Sequence, residues 1–122
     1  MRNLAIGLCG VLMTSAVAAS DGTTFSVAIS GSGTDKCAMW EVDRSATSES
    51  SMAATKTRIE WLSGFLSGVN LFGERSGHLK GGVDDPEGAH KWLDTYCHAH
   101  PDDPLWAAAG ALVLDLRNHP RP

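Results

Sequence analysis

The chain has 122 residues and a formal net charge of −4, and 20% of its residues are charged. It has no cluster of lysines and arginines, which excludes the basic patch that nucleic-acid-binding proteins need. A mildly acidic chain is also not attracted electrostatically to anionic lipids. Length and charge predict one small domain that binds neither nucleic acid nor, after export, a membrane.

The first 19 residues have the form of a secretory signal peptide. Arg2 precedes an apolar run from Leu4 to Met13, and small residues follow it. The run is too short to cross a bilayer, which takes about 20 helical residues. We therefore expect residues 1–19 to be removed during export and the mature protein to be periplasmic or secreted.

The cysteines predict one disulfide bond. Export would remove Cys9 and leave Cys37 and Cys97 in an oxidising compartment, where an even pair favours a bridge. Closing a loop of this length should stabilise the domain by roughly 4 kcal/mol in the chain-entropy model. A catalytic or metal-binding thiol is the alternative, but neither cysteine belongs to a CxxC motif.

The segment before the helical domain is rich in Gly, Ser and Thr. Residues 20–34 surround one short alternating run, TFSVAIS, which has no visible partner strand, and we expect a flexible leader. The stretch DKCAMWEVDRS then predicts a short helix with Thr34 or Asp35 as its N-cap. We expect the folded domain to cover residues 35–120.

The stretch WLSGFLSGVN, residues 61–70, shows a clear helical period with two glycines inside it. A glycine costs about 1 kcal/mol relative to alanine in a helix, so Gly64 and Gly68 need a reason. Polar residues in every turn argue against a membrane span. We interpret the glycines as a strip where a second helix packs closely, and a ligand surface is the alternative. The predicted apolar face consists of Leu62, Phe65, Leu66, Val69 and Phe72, with Trp61 at its edge.

Two more helices follow a long glycine-rich loop. The stretch GERSGHLKGGVDDPEG has almost no apolar content and predicts the most mobile and function-prone part of the chain. Asp85 and Pro86 form a helix start signal, which Asp103 and Pro104 repeat. The expected fold is therefore all-α, with about four helices. The inner faces of the last two helices are Ala89, Trp92, Leu93, Tyr96 and Cys97, then Leu105, Ala109, Leu112 and Leu116.

Metal and catalytic motifs are weak. His90, His98 and His100 are the best metal candidates, but the side chains of HAH diverge at a helix end and no carboxylate stands at a recognisable ligand spacing. We favour solvated histidines near a helix end, where the dipole stabilises their charge. The chain lacks GxSxG and P-loop motifs, and its paired acids are explained as helix starts. We expect no enzymatic activity and no cofactor.

Tryptophans and the glycine-rich loop are the best candidates for binding another protein. The chain has four tryptophans, and two of them lie towards the edges of their apolar stripes. Partly exposed tryptophans often anchor protein interfaces. The candidate partner-binding residues are Trp61, Gly73, Arg75, His78, Lys80 and Trp106.

Residues 58–120 resemble the small periplasmic proteins of the Rap/Tai immunity type. The resemblance is carried by the Gly-x-x-x-Gly helix, a helix ending in His100-Pro101, and a final Ala/Leu-rich helix with Ala109 and Leu112. It implies a non-enzymatic protein that binds and blocks a delivered peptidoglycan amidase. A looser resemblance to the HdeA/HdeB acid-stress chaperones implies a protein that loosens in acid and covers unfolded clients. We expect an immunity- or inhibitor-like role, with the chaperone and a histidine metal-binding module as alternatives.

Overall fold

The computed structural model describes residues 28–73 and 79–121. Over these residues the chain is all-helical, which confirms the predicted fold class. The expected signal peptide and residues 20–27 of the expected leader lie outside the described residues. No helix in these ranges is long and apolar enough to cross a membrane. The helices are α1 (Cys37–Ser45), α2 (Glu49–Phe72), α3 (Pro86–Ala99) and α4 (Leu105–Asn118), and a 3₁₀ helix (Gly31–Thr34) precedes α1.

One apolar core lies between the four helices, with the predicted disulfide inside it. Cys37 at the start of α1 is bonded to Cys97 near the end of α3, with their Cα atoms 4.8 Å apart, and both residues are fully buried. Each helix contributes large side chains to this core, as the helical period predicts. The largest fully buried side chains are Trp40, Leu62, Leu93, Leu105, Leu112 and Leu116.

The start of α1 differs from the predicted cap. Lys36, not Thr34 or Asp35, occupies the N-cap position, and its side chain makes no capping bond. The backbone N–H of Cys37 instead donates to the carbonyl of Asp103, at 2.8 Å. A first-turn N–H needs an acceptor outside its own helix, and here the segment before α4 supplies it. The prediction missed this because the acceptor is remote in sequence.

The predicted start of α3 is confirmed, whereas that of α4 is shifted. The Asp85 side chain accepts a hydrogen bond from the N–H of Gly88, and Pro86 is the first helical residue. Pro104, by contrast, is the N-cap of α4 instead of its first residue. The carboxylate of Asp103 accepts from the hydroxyl of Tyr96, at 2.8 Å, and so does not cap α4.

The last part of the expected flexible leader is packed against α2. Trp61 covers Gly33 so closely that a Cβ at this position would overlap the indole ring. The indole N–H of Trp61 donates to the carbonyl of Ser30, at 3.1 Å. This close contact requires a residue without a side chain at position 33 of the 3₁₀ helix, which glycine supplies. The folded part therefore begins before residue 35.

The glycine-rich segment before α3 is also packed where the structure describes it. The N–H of Leu79 donates to the side-chain carbonyl of Asn70, at 2.9 Å, which holds the segment against the end of α2. Leu79 and Gly81 are buried, and Gly81 adopts a φ of +83° that favours glycine. A Cβ there would press on Leu116 and Arg121. The expectation of a mobile loop fails for residues 79–82; residues 74–78 lie outside the described ranges.

Candidate functional site

Gly64 and Gly68 do not pack against a neighbouring helix, which corrects the prediction made for them. Among the described residues, no atom of another part of the chain lies within 4 Å of a Cβ built at either position. The adjacent face of α2, marked by the buried residues Leu62 and Leu66, instead packs against α1, α4 and the 3₁₀ helix. The glycines line an open surface, which was the alternative interpretation of the sequence.

This open surface is an apolar groove along α2, which we name the α2 strip. Two hollows of about 390 and 450 Å³ adjoin one another and share Gly64 and Phe65. Residues 28–30 form a wall of the first hollow, and Arg117 of α4 borders the second. The strip consists of Trp61, Gly64, Phe65, Gly68, Val69 and Phe72.

Large apolar side chains are exposed to solvent at the C-terminal end of the strip. Phe72 is 83% exposed and Leu71 is 71% exposed. The predicted apolar face includes Phe72, which the structure leaves exposed, because a helical period groups residues by angle but does not show how far a neighbouring helix extends. Trp61 and Phe65 stack with ring centroids 5.5 Å apart and form the other end.

Opposite charges mark the two ends of the α2 strip. Glu60 lines the hollow near Trp61. Arg117 lines the other hollow, and its guanidinium lies 3.4 Å from the position that a Cβ of Gly73 would take. At 1.5 Å per residue, these charges are separated by roughly 20 Å along the helix axis. No local pattern in the sequence indicates a role for either residue, since nothing local brings the end of α4 to the end of α2.

The six predicted partner-binding residues fall into three groups by their position relative to the α2 strip. Trp61 and Gly73 both adjoin the α2 strip. Lys80 and Trp106 are exposed, Trp106 by 45%, but neither lines the strip. Arg75 and His78 lie outside the described residues. The structure thus brings together only part of the predicted set.

The three histidines considered as metal ligands lie in separate environments. His90 is buried against the ring of Trp40. His98 is in hydrogen-bond contact with the carboxylate of Glu41, at 2.8 Å, and His100 packs against the ring of Tyr96. Within residues 28–73 and 79–121, no group of three or more His, Cys, Asp and Glu side chains is placed to hold a metal ion.

His90 belongs instead to a polar cluster that joins α1 to α3. Asp94 of α3 accepts hydrogen bonds from the indole of Trp40, at 2.7 Å, and from two nitrogens of Arg44, at 2.9 and 2.8 Å. Burial alone would raise the pKa of Asp94, but these bonds from Arg44 and Trp40 lower it overall. Burial, together with the charge of Arg44, lowers the pKa of His90. This cluster stabilises charge at Asp94 and neutrality at His90.

The α2 strip is suited to burying apolar surface. Apolar side chains and two glycines form its floor, and its charged border residues, Glu60 and Arg117, stand at its two ends. Burying such a surface against apolar groups removes it from water, which lowers the free energy of the system. Comparison with known protein families, with curated proteins and with solved structures finds no match.

Proposed function

We propose that the mature chain is an exported, non-catalytic protein-binding domain with an immunity- or inhibitor-like role, and that it docks proteins on the α2 strip. The observation that carries this proposal is the uncovered apolar face of α2, where Gly64 and Gly68 have no packing partner among the described residues. Contiguous exposed apolar surface on a small domain is typical of interaction sites. The N-terminal signal-like segment and the disulfide support export.

The shape of the α2 strip favours binding of a helical segment of the partner. The two glycines lie one turn apart on the same side of α2, so a neighbouring backbone can approach without meeting a side chain. Phe72 and Trp61 stand at opposite ends of this floor and provide apolar anchors. In helix-in-groove recognition, an amphipathic helix lays its apolar face into a hydrophobic groove of this kind.

An acid-stress chaperone is the second candidate, and the α1–α3 cluster favours it. The lowered pKa values of His90 and Asp94 both mean that the unfolded chain binds more protons in acid than the native chain does. Stability therefore falls as the pH falls. Such a protein would open in acid and expose further apolar surface to clients.

The deciding experiment is affinity capture from native periplasmic extract, at pH 7 and again near pH 3. For the immunity-like role we expect one stoichiometric protein at neutral pH, and its capture should be lost with Phe72→Ser. Lys91→Glu, on an exposed position of α3, is the matched control and should keep the partner. Direct titration of the identified partner against both variants gives the change in affinity.

The possible results separate the candidates. Many unrelated polypeptides that bind only in acid would favour the chaperone over the immunity-like role. A neutral-pH partner that still binds Phe72→Ser would contradict the assignment to the α2 strip. Capture of no protein at either pH would contradict a protein-binding function altogether.

A further inference from the structure

Residues 79–84, which we name the flap, lie over the core between α2 and α4, on the path from α2 to α3. We infer that the flap opens transiently as a unit while the four helices stay folded, and that Arg121, which follows α4, is the latch that holds it closed. This inference goes beyond the proposed function and does not depend on what the α2 strip binds.

The closed flap covers apolar side chains of the core. Leu79 is itself a core residue and is 8% exposed. Gly82 lies on α2 and α4: a Cβ at this position would be 3.8 Å from a methyl group of Leu66 and 3.7 Å from one of Leu116. Both leucines are 2% exposed. Opening would bring this apolar surface into contact with water, so the closed form is favoured.

Hydrogen bonds inside the flap allow it to move as one unit. The N–H of Gly81 donates to the carboxylate of Asp84, at 2.9 Å, and the N–H of Gly82 donates to the carbonyl of Leu79, at 3.2 Å. The N–H of Leu79 reaches outside the flap, to the side chain of Asn70. Opening exchanges this bond for one to water and keeps the internal bonds, so it does not leave these N–H groups without acceptors.

Arg121 holds the flap from its outer side. The Cδ atom of Arg121 lies 2.7 Å from the position that a Cβ of Gly81 would take, and Nη1 lies 2.9 Å from the corresponding position at Gly88 in the first turn of α3. Nη1 also lies 3.9 Å from the carboxylate of Asp85, whose side chain is 50% exposed, whereas that of Arg121 is 27% exposed. An ion pair this exposed is weak and screened by salt, which makes the latch releasable.

The first test is limited digestion of the mature chain with a lysine-specific endoprotease. Lys80 is exposed on the flap, but its neighbours Leu79 and Gly81 are buried, so the peptide bond after Lys80 reaches the protease only when the flap opens. Lys91 is the internal reference, because cleavage after it requires unfolding of α3. When opening is fast, each rate follows the population of the open form. We expect initial cleavage after Lys80 to be at least about tenfold faster than after Lys91.

Variants of the latch should change cleavage of the flap alone. Arg121→Ala should speed cleavage after Lys80 by about fivefold and leave cleavage after Lys91 unchanged. Asp85→Asn keeps the cap of α3, since asparagine caps a helix as well as aspartate, but removes the charge, and should speed the same cleavage by about threefold. Glu60→Gln is the matched control: it removes an exposed ion pair within α2 and should leave the rate unchanged. Mass spectrometry after reduction of the disulfide identifies the fragments.

The second test is the salt dependence of the same digestion. At 1 M salt the Debye length is about 3 Å, so the ion pair between Arg121 and Asp85 is strongly screened. The ratio of cleavage after Lys80 to cleavage after Lys91 should therefore rise with salt in the unmodified protein and stay constant in Asp85→Asn. A role of Asp85 as a helix cap alone would not produce this difference, and the ratio cancels any effect of salt on the protease.

Three results would overturn the inference. If the unmodified protein is cleaved after Lys80 no faster than after Lys91, the flap opens only when the whole domain unfolds. If Arg121→Ala speeds both cleavages equally, Arg121 stabilises the domain as a whole and is not a latch. If salt leaves the ratio of the unmodified protein unchanged, the ion pair with Asp85 does not hold the flap. None of these results bears on capture of a partner by the α2 strip, which is measured separately.

Discussion

Arg58 shows how one buried charge holds the first half of the fold. Its side chain is almost fully buried and forms ion pairs with Asp35, at 3.0 Å, and with Asp43. An arginine in the interior is unfavourable unless carboxylates satisfy its guanidinium. Asp35 lies just before α1 and Asp43 lies near its end, so the pairing fixes α1 on α2.

Replacement of this arginine should be strongly destabilising. We expect Arg58→Ala to lower the free energy of unfolding by about 3 kcal/mol, because two partly buried carboxylates lose their partner. Urea denaturation followed by circular dichroism measures the loss. Lys56→Ala, which removes an exposed pair with Glu60, is the control and should change stability by less than about 1 kcal/mol. Equal effects for the two variants would contradict this role of Arg58.

At the scale of one element, the glycines on and around α2 should respond in opposite directions. Gly64→Ala should stabilise the isolated chain by about 0.5–1 kcal/mol, because alanine favours the helix and its Cβ meets open space. Gly33→Ala should instead destabilise it, since the new methyl group overlaps the Trp61 ring. Thermal melts in dilute solution measure both changes. A destabilising Gly64→Ala would mean that α2 is packed at this position.

Helix starts and faces were predictable where their signals are local. Asp85 and Pro86 predicted the start of α3 because the cap is made within four residues. The start of α1 depends on a carbonyl of Asp103, so no local pattern could indicate it. The candidate site was predictable only in part, because it also depends on residues that are remote in sequence. The glycine spacing predicted a strip for helix packing, with a ligand surface as the alternative, and only the packing of the other helices shows that the strip is open and that Arg117 borders it.

The contact between α1 and α3 should make stability depend on pH in two steps. Burial lowers the pKa of His90 from 6.5, so the native chain keeps this imidazole neutral while the unfolded chain protonates it. The free energy of unfolding should therefore fall as the pH drops below about 6.5, until the native pKa is reached. The pKa of Asp94 is lowered from 3.8, so a further loss should follow below that pH, down to its native value.

A series of urea denaturations between pH 8 and pH 3 separates these steps. His90→Gln should remove the part of the fall that begins near pH 6.5 and keep the fall that begins near pH 3.8. The matched control, His98→Gln, changes an exposed histidine of the same helix and should retain the step that His90 causes. A His90→Gln profile that parallels the unmodified protein would contradict the assignment.

At the scale of the whole molecule, the disulfide links α1 to α3, the same two helices that the Asp94 cluster holds together. Cys37 begins α1 and Cys97 lies near the end of α3, while Asp94, about one turn before Cys97, binds Arg44 and Trp40 of α1. The covalent and polar links thus fix α1 against α3 at two levels. Because the folded part is small, each link is a large share of the stability of the whole domain.

Removal of the disulfide should therefore be the most damaging change. The variant Cys37→Ala with Cys97→Ala should lose about 4 kcal/mol, because a closed loop of 60 positions no longer restricts the unfolded chain. The two methyl groups preserve an apolar interior, so the loss reports mainly on the unfolded state. Urea denaturation of the variant, and of the unmodified protein with and without reductant, measures it. If the reduced and oxidised proteins unfold at the same urea concentration, the bridge does not contribute as proposed, and the helical contacts and the Arg58 and Asp94 clusters alone stabilise the fold.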